Sequence, residues 1–188
     1  MSEKKYELIP SDKEGLFIIK ALKSFSNVTI GDIGGYVSGE HNLSHDGDCW
    51  IYNNAEVYNY AQVYDDARIS DSAQVYDHAR VYNDAKVSDF ARVYGSSQVS
   101  GFARIYGNAR IYSGSIQDTT DYMLIGPIGS RNGYTTFFKD EDKIMVSCGC
   151  FEGTIQEFED KVKETHQNNN VFKKQYLNAI IYVKSIME

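Results

Sequence analysis

A six-residue repeat fills the middle of the chain and constrains the fold more than any other feature. Read in sixes from Gly47, the sequence gives twelve words without an insertion, and the third place is Cys, Ala or Ser in every word. The fifth place is Ile or Val until the last word, where Gln117 breaks the pattern. The words are GDCWIY, NNAEVY, NYAQVY, DDARIS, DSAQVY, DHARVY, NDAKVS, DFARVY, GSSQVS, GFARIY, GNARIY and SGSIQD. This period predicts a solenoid, because each unit can bury its apolar face only by stacking on its neighbours.

Alternation within each word predicts a short strand followed by a corner. Places three and five lie two residues apart, so on a strand they point to the same side, and that apolar side must be buried. Places four and six point outward and carry Arg, Lys, Gln, Glu, Tyr and Ser. Places one and two carry turn-forming residues. We interpret the acidic residues there as corner residues rather than metal ligands; they include Asp65, Asp71, Asp77 and Asp89.

The repeat resembles the hexapeptide-repeat left-handed parallel β-helix, a triangular prism with three words in each coil. That superfamily includes acyltransferases, γ-type carbonic anhydrases and noncatalytic relatives, and the transferases generally form trimers. They usually carry a catalytic His on a loop near a long insertion, whereas these words contain no insertion and only His78, at a corner. The three-His ligand set of the anhydrases is also absent. The resemblance therefore implies the fold more strongly than an activity, and we expect no catalytic residue, no metal and no cofactor.

Three words per coil align the outward side chains in columns. One column contains only tyrosines, and it lies beside a column that ends in two arginines. Stacked aromatic side chains stabilise sheets, but Tyr and Arg are also enriched at subunit interfaces, so both interpretations stay open. A homo-oligomer is expected, with a trimer favoured and a dimer as the alternative. The candidate interface residues are Tyr58, Tyr76, Tyr94, Tyr112, Arg92 and Arg110.

The flanking sequence divides the chain into three parts. Residues 1–34 contain two short strands around a Ser-Asp-Lys-Glu-Gly turn, and we predict that they cap the open end of the solenoid, which would otherwise expose a sheet edge. Residues 35–118 form the β-helix, with an irregular first coil before the regular words. Cys49 takes the place of a buried alanine. Residues 119–188 differ in character and form a small α+β module.

The C-terminal module is predicted to have three strands and two helices. A Gly-rich turn follows the first strand, and the other two strands form a hairpin. Thr154 and Glu157 have the spacing of a capping box, which predicts the start of the first helix. Apolar residues at helical spacing predict the second helix from about Phe172 to Met187. The three predicted strands are Tyr122–Ile125, Tyr134–Phe138 and Lys143–Cys148.

The least generic side chains of the chain lie in this module. A glycine-flanked Ser-Arg pair can hold an anion through backbone N–H groups and a guanidinium, although a tight turn with a surface arginine explains the same residues. Two cysteines in a C-x-C pair are too few for a structural zinc site, and they are interpreted as neighbours on one strand. Nucleophilic catalysis would require Cys148 or Cys150 to lie close to His166. The candidate binding residues are Ser130, Arg131, Tyr134, Cys148, Cys150 and His166.

A second resemblance covers nearly the whole chain. The stretches YELIPSDKEGLFIIKAL, GDIGGYVSGEHNLSHDGDCWIY and YMLIGPIGSRNGYTTFF, with CGCFEGTIQEFEDKVKETH further on, resemble a family of uncharacterised proteins that is common in phage and prophage genomes. Small phage proteins often act by binding. The resemblance implies a noncatalytic scaffold or binding protein with a host or phage protein as partner, and an inhibitor of host defence is one such protein.

Composition narrows the function classes further. The formal net charge of −7 argues against a nucleic-acid binder, because such proteins neutralise phosphates with clustered Lys and Arg. No signal-peptide core and no stretch long enough to span a membrane is present, so we expect a protein of the cytoplasm of an infected or lysogenic bacterial cell. Three alternatives remain: an acyltransferase-like enzyme using His78, a structural part of the virion, and a sponge for an anionic nucleotide. The sponge would use Arg68, Arg92, Arg104 or Arg131.

Overall fold

A computed structural model describes residues 4–187 of the chain. The first three residues of the predicted cap and Glu188 lie outside the described residues. Strands β1 (Tyr6–Pro10) and β2 (Phe17–Ala21) pair in antiparallel fashion, and β3 (Ile33–Val37) opens the solenoid. Twelve two-residue strands follow: β4 Trp50–Ile51, β5 Glu56–Val57, β6 Gln62–Val63, β7 Arg68–Ile69, β8 Gln74–Val75, β9 Arg80–Val81, β10 Lys86–Val87, β11 Arg92–Val93, β12 Gln98–Val99, β13 Arg104–Ile105, β14 Arg110–Ile111 and β15 Ser115–Ile116.

The solenoid has three faces, and its strands are parallel within each face, as the repeat predicts. Every third strand pairs with the next in register, so Arg68 lies beside Lys86 and Lys86 beside Arg104. The strand orders are β3-β5-β8-β11-β14, β4-β7-β10-β13 and β6-β9-β12-β15, with the β1–β2 hairpin extending the first face. The prediction of a parallel β-helix of six-residue words is confirmed, while its left hand stays an expectation from the resemblance.

The corners explain why eleven of the twelve words begin with Asn, Asp or Gly. From Asn53 to Asp89, the first residue of every word has φ between 55° and 61°, a left-handed conformation that these residues tolerate best. The four aspartates at this place also accept a hydrogen bond from the backbone N–H of the next coil. Asp89 Oδ2, for example, accepts from Gly107 N at 2.9 Å. Their interpretation as corner residues is confirmed; the other three are Asp65, Asp71 and Asp77.

The inside of the coil is filled by the third and fifth places of the words. The Ala and Val or Ile side chains at these places are fully buried, and Cys49 is as buried as the alanines that it replaces. The small residue leaves room at the corner while the aliphatic residue fills the centre. This packing runs without interruption from Val37 to Ile116.

The last coil departs from the strict period. It is one residue shorter than the others, because Ser115 pairs with Gln98 and Ile116 with Val99. Ile116 therefore takes the inward place that a strict count gives to Gln117, and it is fully buried. Burying an isoleucine instead of a glutamine favours this shift. Gly114, with φ of 77°, makes the shortened corner.

The first coil is irregular, as its sequence predicts, and the structure shows that it is two residues longer than the regular ones. Val37 pairs with Val57, and Leu43 bridges to Val63. Both apolar residues face inward and are buried. Lys5 and Tyr6 close this end, because the lysine donates to Cys49 O at 3.0 Å and the tyrosine to Leu43 O at 2.7 Å.

The C-terminal module closes the opposite end. Its sheet is β16 (Tyr122–Ile128), β17 (Gly133–Asp140), β18 (Lys143–Cys148) and β19 (Phe151–Thr154), and it is antiparallel throughout. Helices α1 (Ile155–Thr165) and α2 (Asn170–Met187) follow. Phe138 of β17 packs into the solenoid core, whereas Phe137 packs against the helices. The sheet therefore lies between the solenoid and the helix pair.

The prediction of three strands misses β19. Gly149, with φ of 63°, turns the chain between β18 and β19, so Cys148 ends one strand and Cys150 lies in the turn. The interpretation of the C-x-C pair as neighbours on one strand is therefore wrong. The capping box is confirmed, because Thr154 N donates to Glu157 Oε2 at 2.8 Å.

Candidate functional site

A cleft opens on the C-terminal module between the β16–β17 loop, the β18–β19 turn and the two helices. It has a volume of about 430 Å³, which lies in the range of pockets that bind small molecules or single side chains. We call it the cleft. Its lining residues are Ser130, Arg131, Cys148, Cys150, Phe151, Phe158, Lys161, Val162, Thr165, His166 and Tyr176.

The loop that carries Arg131 is fixed in place by α2. Gly129 N donates to Gln175 Oε1 at 2.8 Å. A Cβ atom at Gly129 would lie 1.9 Å from Tyr176 Oη, and the residue has φ of 74°, so only glycine fits there. The guanidinium of Arg131 is thus presented at the mouth of the cleft by a loop held by a side chain and by packing.

Aromatic rings line the cleft. Tyr176 meets Phe158 edge to face, with centroids 5.6 Å apart, and stacks on His166 at the same separation. Phe151 lies against Phe158 at 5.2 Å. Val162 extends this surface along α1. The cleft therefore offers an apolar and aromatic surface with polar groups at its rim.

The Cys148 thiol faces two hydroxyl groups. Thr135 Oγ1 donates to Cys148 Sγ at 3.2 Å, and the Tyr176 phenol also contacts the thiol. Burial, together with this thiol, raises the pKa of Tyr176 to about 12, although Arg131 opposes the shift. Tyr176 is therefore a neutral hydroxyl at physiological pH. The thiol contacts this phenol, whereas the His166 ring stacks on the Tyr176 ring.

The charges of the cleft have one sign. Its lining residues include Arg131 and Lys161 but, within the described part of the chain, no Asp or Glu. Lys161 also bonds to Glu164 at 2.9 Å, and both side chains are well exposed. Among residues 4–187, no group of three or more His, Cys, Asp or Glu side chains is arranged to hold a metal ion.

Five of the six candidate binding residues meet in this cleft: Ser130, Arg131, Cys148, Cys150 and His166. Tyr134 does not, since it lies on β17 with its ring against Gly126 and is 42% exposed. Phe158, Val162 and Tyr176 also line the cleft, at apolar positions of the two helices. Their periodicity gave no signal of a site, because residues that line a cleft between helices have the same spacing as core residues.

A tyrosine ladder runs along one face of the solenoid; it consists of Tyr58, Tyr76, Tyr94 and Tyr112. Tyr58 and Tyr76 stack at 5.0 Å with ring planes 1° apart, and Tyr76 stacks on Tyr94 at the same separation. Burial, with the neighbouring Tyr76 and Glu56, raises the pKa of Tyr58 to about 12. The ladder therefore presents neutral, half-buried rings.

The C-terminal module covers one end of the ladder. Tyr94 donates to the carboxylate of Glu152, and Tyr112 donates to Gly153 O at 3.4 Å. Arg110 Nη1 donates to Gly149 O at 3.0 Å. Half of the candidate interface residues thus bind the β18–β19 hairpin within the same chain. The half that makes none of these contacts is Tyr58, Tyr76 and Arg92.

His78 lies at an exposed corner, where its ring stacks on Tyr60 with centroids 5.0 Å apart and planes 4° apart. Tyr64 and Tyr82 form the same kind of stack at 4.9 Å on a neighbouring column. His78 therefore makes the contacts of a stacked aromatic residue on the solenoid surface.

The solenoid face that carries Arg68, Lys86 and Arg104 also carries acidic side chains. A shallow hollow of about 150 Å³ there is lined by alternating charges and one aromatic ring: Asp66, Arg68, Asp84, Lys86, Phe102 and Arg104. Asp66 and Asp84 lie beside the basic side chains in successive coils. The two carboxylates offset two of the three basic side chains, so this hollow mixes both signs, whereas the residues that line the cleft include no acid.

Comparison with known proteins supports the repeat fold. A family model described as the YdcK Beta solenoid repeat matches residues 61–74, 73–89 and 103–117. These segments lie within the solenoid and do not reach the C-terminal module. No curated protein matches the chain. Fold and comparison together define a β-solenoid repeat protein, to which this chain adds an α+β module with a cleft.

No helix within residues 4–187 has the length and apolar character needed to cross a membrane.

Proposed function

We propose that this protein is a noncatalytic binding protein in which the solenoid is a rigid scaffold and the C-terminal module carries the recognition site. The observation that carries the proposal is the cleft itself. It gathers Arg131, Cys148 and His166 from three separate segments of the chain. Convergence of polar groups on an apolar pocket is typical of binding sites.

The scaffold role rests on how the module is attached. Arg110 N donates to Thr136 Oγ1 at 3.0 Å, and Phe138 meets Tyr112 edge to face at 5.0 Å. The β17 strand thus shares one core with the solenoid and another with the helices. Such attachment holds the cleft in a fixed orientation, which reduces the entropy lost on binding.

The partner on this proposal is a host or phage protein. The sequence resemblance to phage and prophage proteins favours a phage-derived protein that works inside the infected or lysogenic cell. Blocking a protein of a host defence system is one role that a small binding protein of this origin can have. A homo-oligomer, with a trimer favoured, would present several copies of the cleft and increase avidity.

A second candidate is a sponge for a small anionic ligand such as a nucleotide. It is favoured by the charge of the cleft, where Arg131 and Lys161 face an aromatic surface. Of the four arginines considered for this role, Arg68 and Arg104 lie among aspartates. Arg131 is the one that lines a pocket without acids.

The test of the proposal is partner capture by variants of the full chain. Tagged wild-type protein is used as bait in lysate of a bacterial host that carries the gene, and captured proteins are identified by mass spectrometry. Thr165→Trp fills the rim of the cleft from an exposed position on α1. Arg80→Met is the matched control, because Arg80 is exposed on the solenoid strand β9, away from the cleft.

The expected result is a partner captured by the wild type and by Arg80→Met and lost in Thr165→Trp. A partner held equally by all three baits would contradict the assignment of the cleft as the recognition site. A stoichiometric small ligand, seen in native mass spectra and released unchanged on denaturation, would favour the sponge instead.

A further inference from the structure

We infer that the cleft recognises an organic anion joined to an apolar or aromatic group, and that Arg131 binds the anionic end. This inference rests on the proposed function, because it names the chemistry that the same cleft selects. A carboxylate beside an apolar side chain of a protein partner and a phosphate beside a nucleobase share this chemistry. The experiment below separates these two sources.

Charge is the first support for this inference. The chain as a whole has an excess of acids, with a formal net charge of −7, yet the described residues that line the cleft carry only positive or neutral side chains. A local positive site attracts anions even on a protein of negative net charge, because the nearest charges dominate the potential inside a cleft. Tyr176 stays neutral and adds a hydroxyl rather than a negative charge.

The position of Arg131 is the second support. Gly129, two residues before it, is fixed by Gln175 and by close packing against Tyr176. The guanidinium lies near Gly149 of the β18–β19 turn, with Nη1 3.7 Å from where a Cβ of that glycine would be. The planar fork of an arginine matches carboxylate and phosphate oxygens in a bidentate way. Ser130 adds a hydroxyl beside it at the cleft rim.

The apolar lining is the third support. The half-buried rings of Phe151 and Tyr176 form an apolar surface beside the cationic rim, packed against Phe158, which is only 4% exposed. An inorganic anion would leave this surface exposed to water, whereas a ligand with an apolar or aromatic body would bury it. The arrangement therefore favours a ligand with two chemically different ends.

The experiment is a chemical-shift titration of the full-length, ¹⁵N-labelled protein with two matched pairs of probes. N-acetylphenylalanine is compared with its uncharged amide, and adenosine monophosphate is compared with adenosine. We expect at least one anion to shift the backbone amides of Ser130, Arg131 and Cys150, and its uncharged counterpart to bind at least about tenfold more weakly. A response to the carboxylate probe indicates a protein ligand, and a response to the phosphate probe indicates a nucleotide.

Arg131→Met is the test variant and Arg80→Met is the control. The response should disappear in Arg131→Met and persist in Arg80→Met, with the rest of the amide spectrum unchanged. Equal binding of charged and uncharged probes, binding retained in Arg131→Met, or no response to either anion would overturn the inference. Partner capture that is lost in Thr165→Trp but retained in Arg131→Met would overturn it while the proposed function stands.

Discussion

At the scale of single residues, Lys5 closes the N-terminal end of the solenoid. Its side chain is fully buried, and its ammonium donates to the carbonyl oxygens of Gly47 and Cys49 at 3.0 Å each. It also lies 3.3 Å from Cys49 Sγ and 5.2 Å from the ring centroid of Phe25. The carbonyl groups at a solenoid end have no further coil to bond to, so a buried cation satisfies them.

Replacing Lys5 with methionine should lower the free energy of unfolding by about 2 kcal/mol, since buried carbonyl acceptors lose their donor. The measurement is the midpoint of urea denaturation with the slope unchanged. Lys4→Met is the control, because Lys4 pairs with Glu40 at the exposed surface and such pairs contribute little. Equal midpoints for Lys5→Met and the wild type would show that the carbonyls find other donors.

His45 makes the same end of the solenoid sensitive to pH. Its Nδ1 accepts from Lys5 N at 3.2 Å, and its ring stacks on Tyr6 at 4.3 Å. Burial holds the pKa of His45 below its usual value of 6.5, while Glu40 and Asp46 oppose the shift and the lysines at positions 4 and 5 reinforce it. The folded state therefore favours the neutral ring, which can accept the Lys5 N–H.

Because the folded pKa is depressed, the unfolded chain takes up the proton first as the pH falls. The contribution of the neutral His45 ring to the free energy of unfolding should be fully present above pH 6.5, the ordinary pKa of the group. It should decline at lower pH until the folded protein also binds the proton. The measurement is the free energy of unfolding at about pH 7.5 and at about pH 5. His45→Gln, whose amide oxygen can accept the same bond, should lose less stability over this interval. A fall as large as that of the wild type would assign the pH dependence to other groups.

At the scale of elements, the tyrosine ladder links successive coils. Tyr76 is its most regular member, with a ring stacked at 5.0 Å on either side. Tyr76→Ala should lower the free energy of unfolding by about 1–2 kcal/mol, since it removes two aromatic contacts and leaves the buried column intact. Tyr76→Phe keeps both stacks and should leave the urea midpoint close to that of the wild type. A midpoint unchanged in Tyr76→Ala would mean that the ladder does not stiffen the coil.

The elements also show what the sequence could predict. The repeat was sufficient to predict the faces, the inward residues and the corners, because each depends on local alternation and on the conformation of one residue. The shift that buries Ile116 was not predictable from a strict count, since it depends on which side chain the last coil can bury. The turn at Gly149 was missed because a short strand containing Gly153 has little strand propensity of its own.

The cleft was predictable only in its parts. In the sequence, Ser130 and Arg131 are recognisable as a polar pair between glycines, and His166 as a residue at the end of a predicted helix. These residues come together only when the β16–β17 loop, the β18–β19 turn and the two helices pack against one another. Local sequence patterns do not indicate such long-range contacts. Phe158 and Tyr176 look like core residues because their spacing is the same in both settings.

At the scale of the whole molecule, both ends of the solenoid are closed by the chain itself. The β1–β2 hairpin and Lys5 cover one end, and β17 with Phe138 covers the other. Covered ends protect the solenoid's coil edges, which would otherwise template aggregation, so we expect copies of the chain to meet on the side faces. The ladder face carries the predicted interface residues, and its N-terminal half lies free of the β18–β19 hairpin.

Copies of the chain are expected to assemble through the ladder face. The residues available there are Tyr58, Tyr76 and Arg92, and Arg92 is exposed. If copies of the chain meet on this face, reversing the charge with Arg92→Glu places a new carboxylate in a desolvated contact and should shift the protein toward monomer. Native mass spectrometry and light scattering measure the change, with a trimer expected for the wild type. Arg80→Glu, the same change on another face, should keep the wild-type state. An oligomer unaffected by Arg92→Glu would mean that the copies meet elsewhere and that the ladder serves only to stiffen the coil. A monomeric wild type would mean in addition that the cleft acts in single copies.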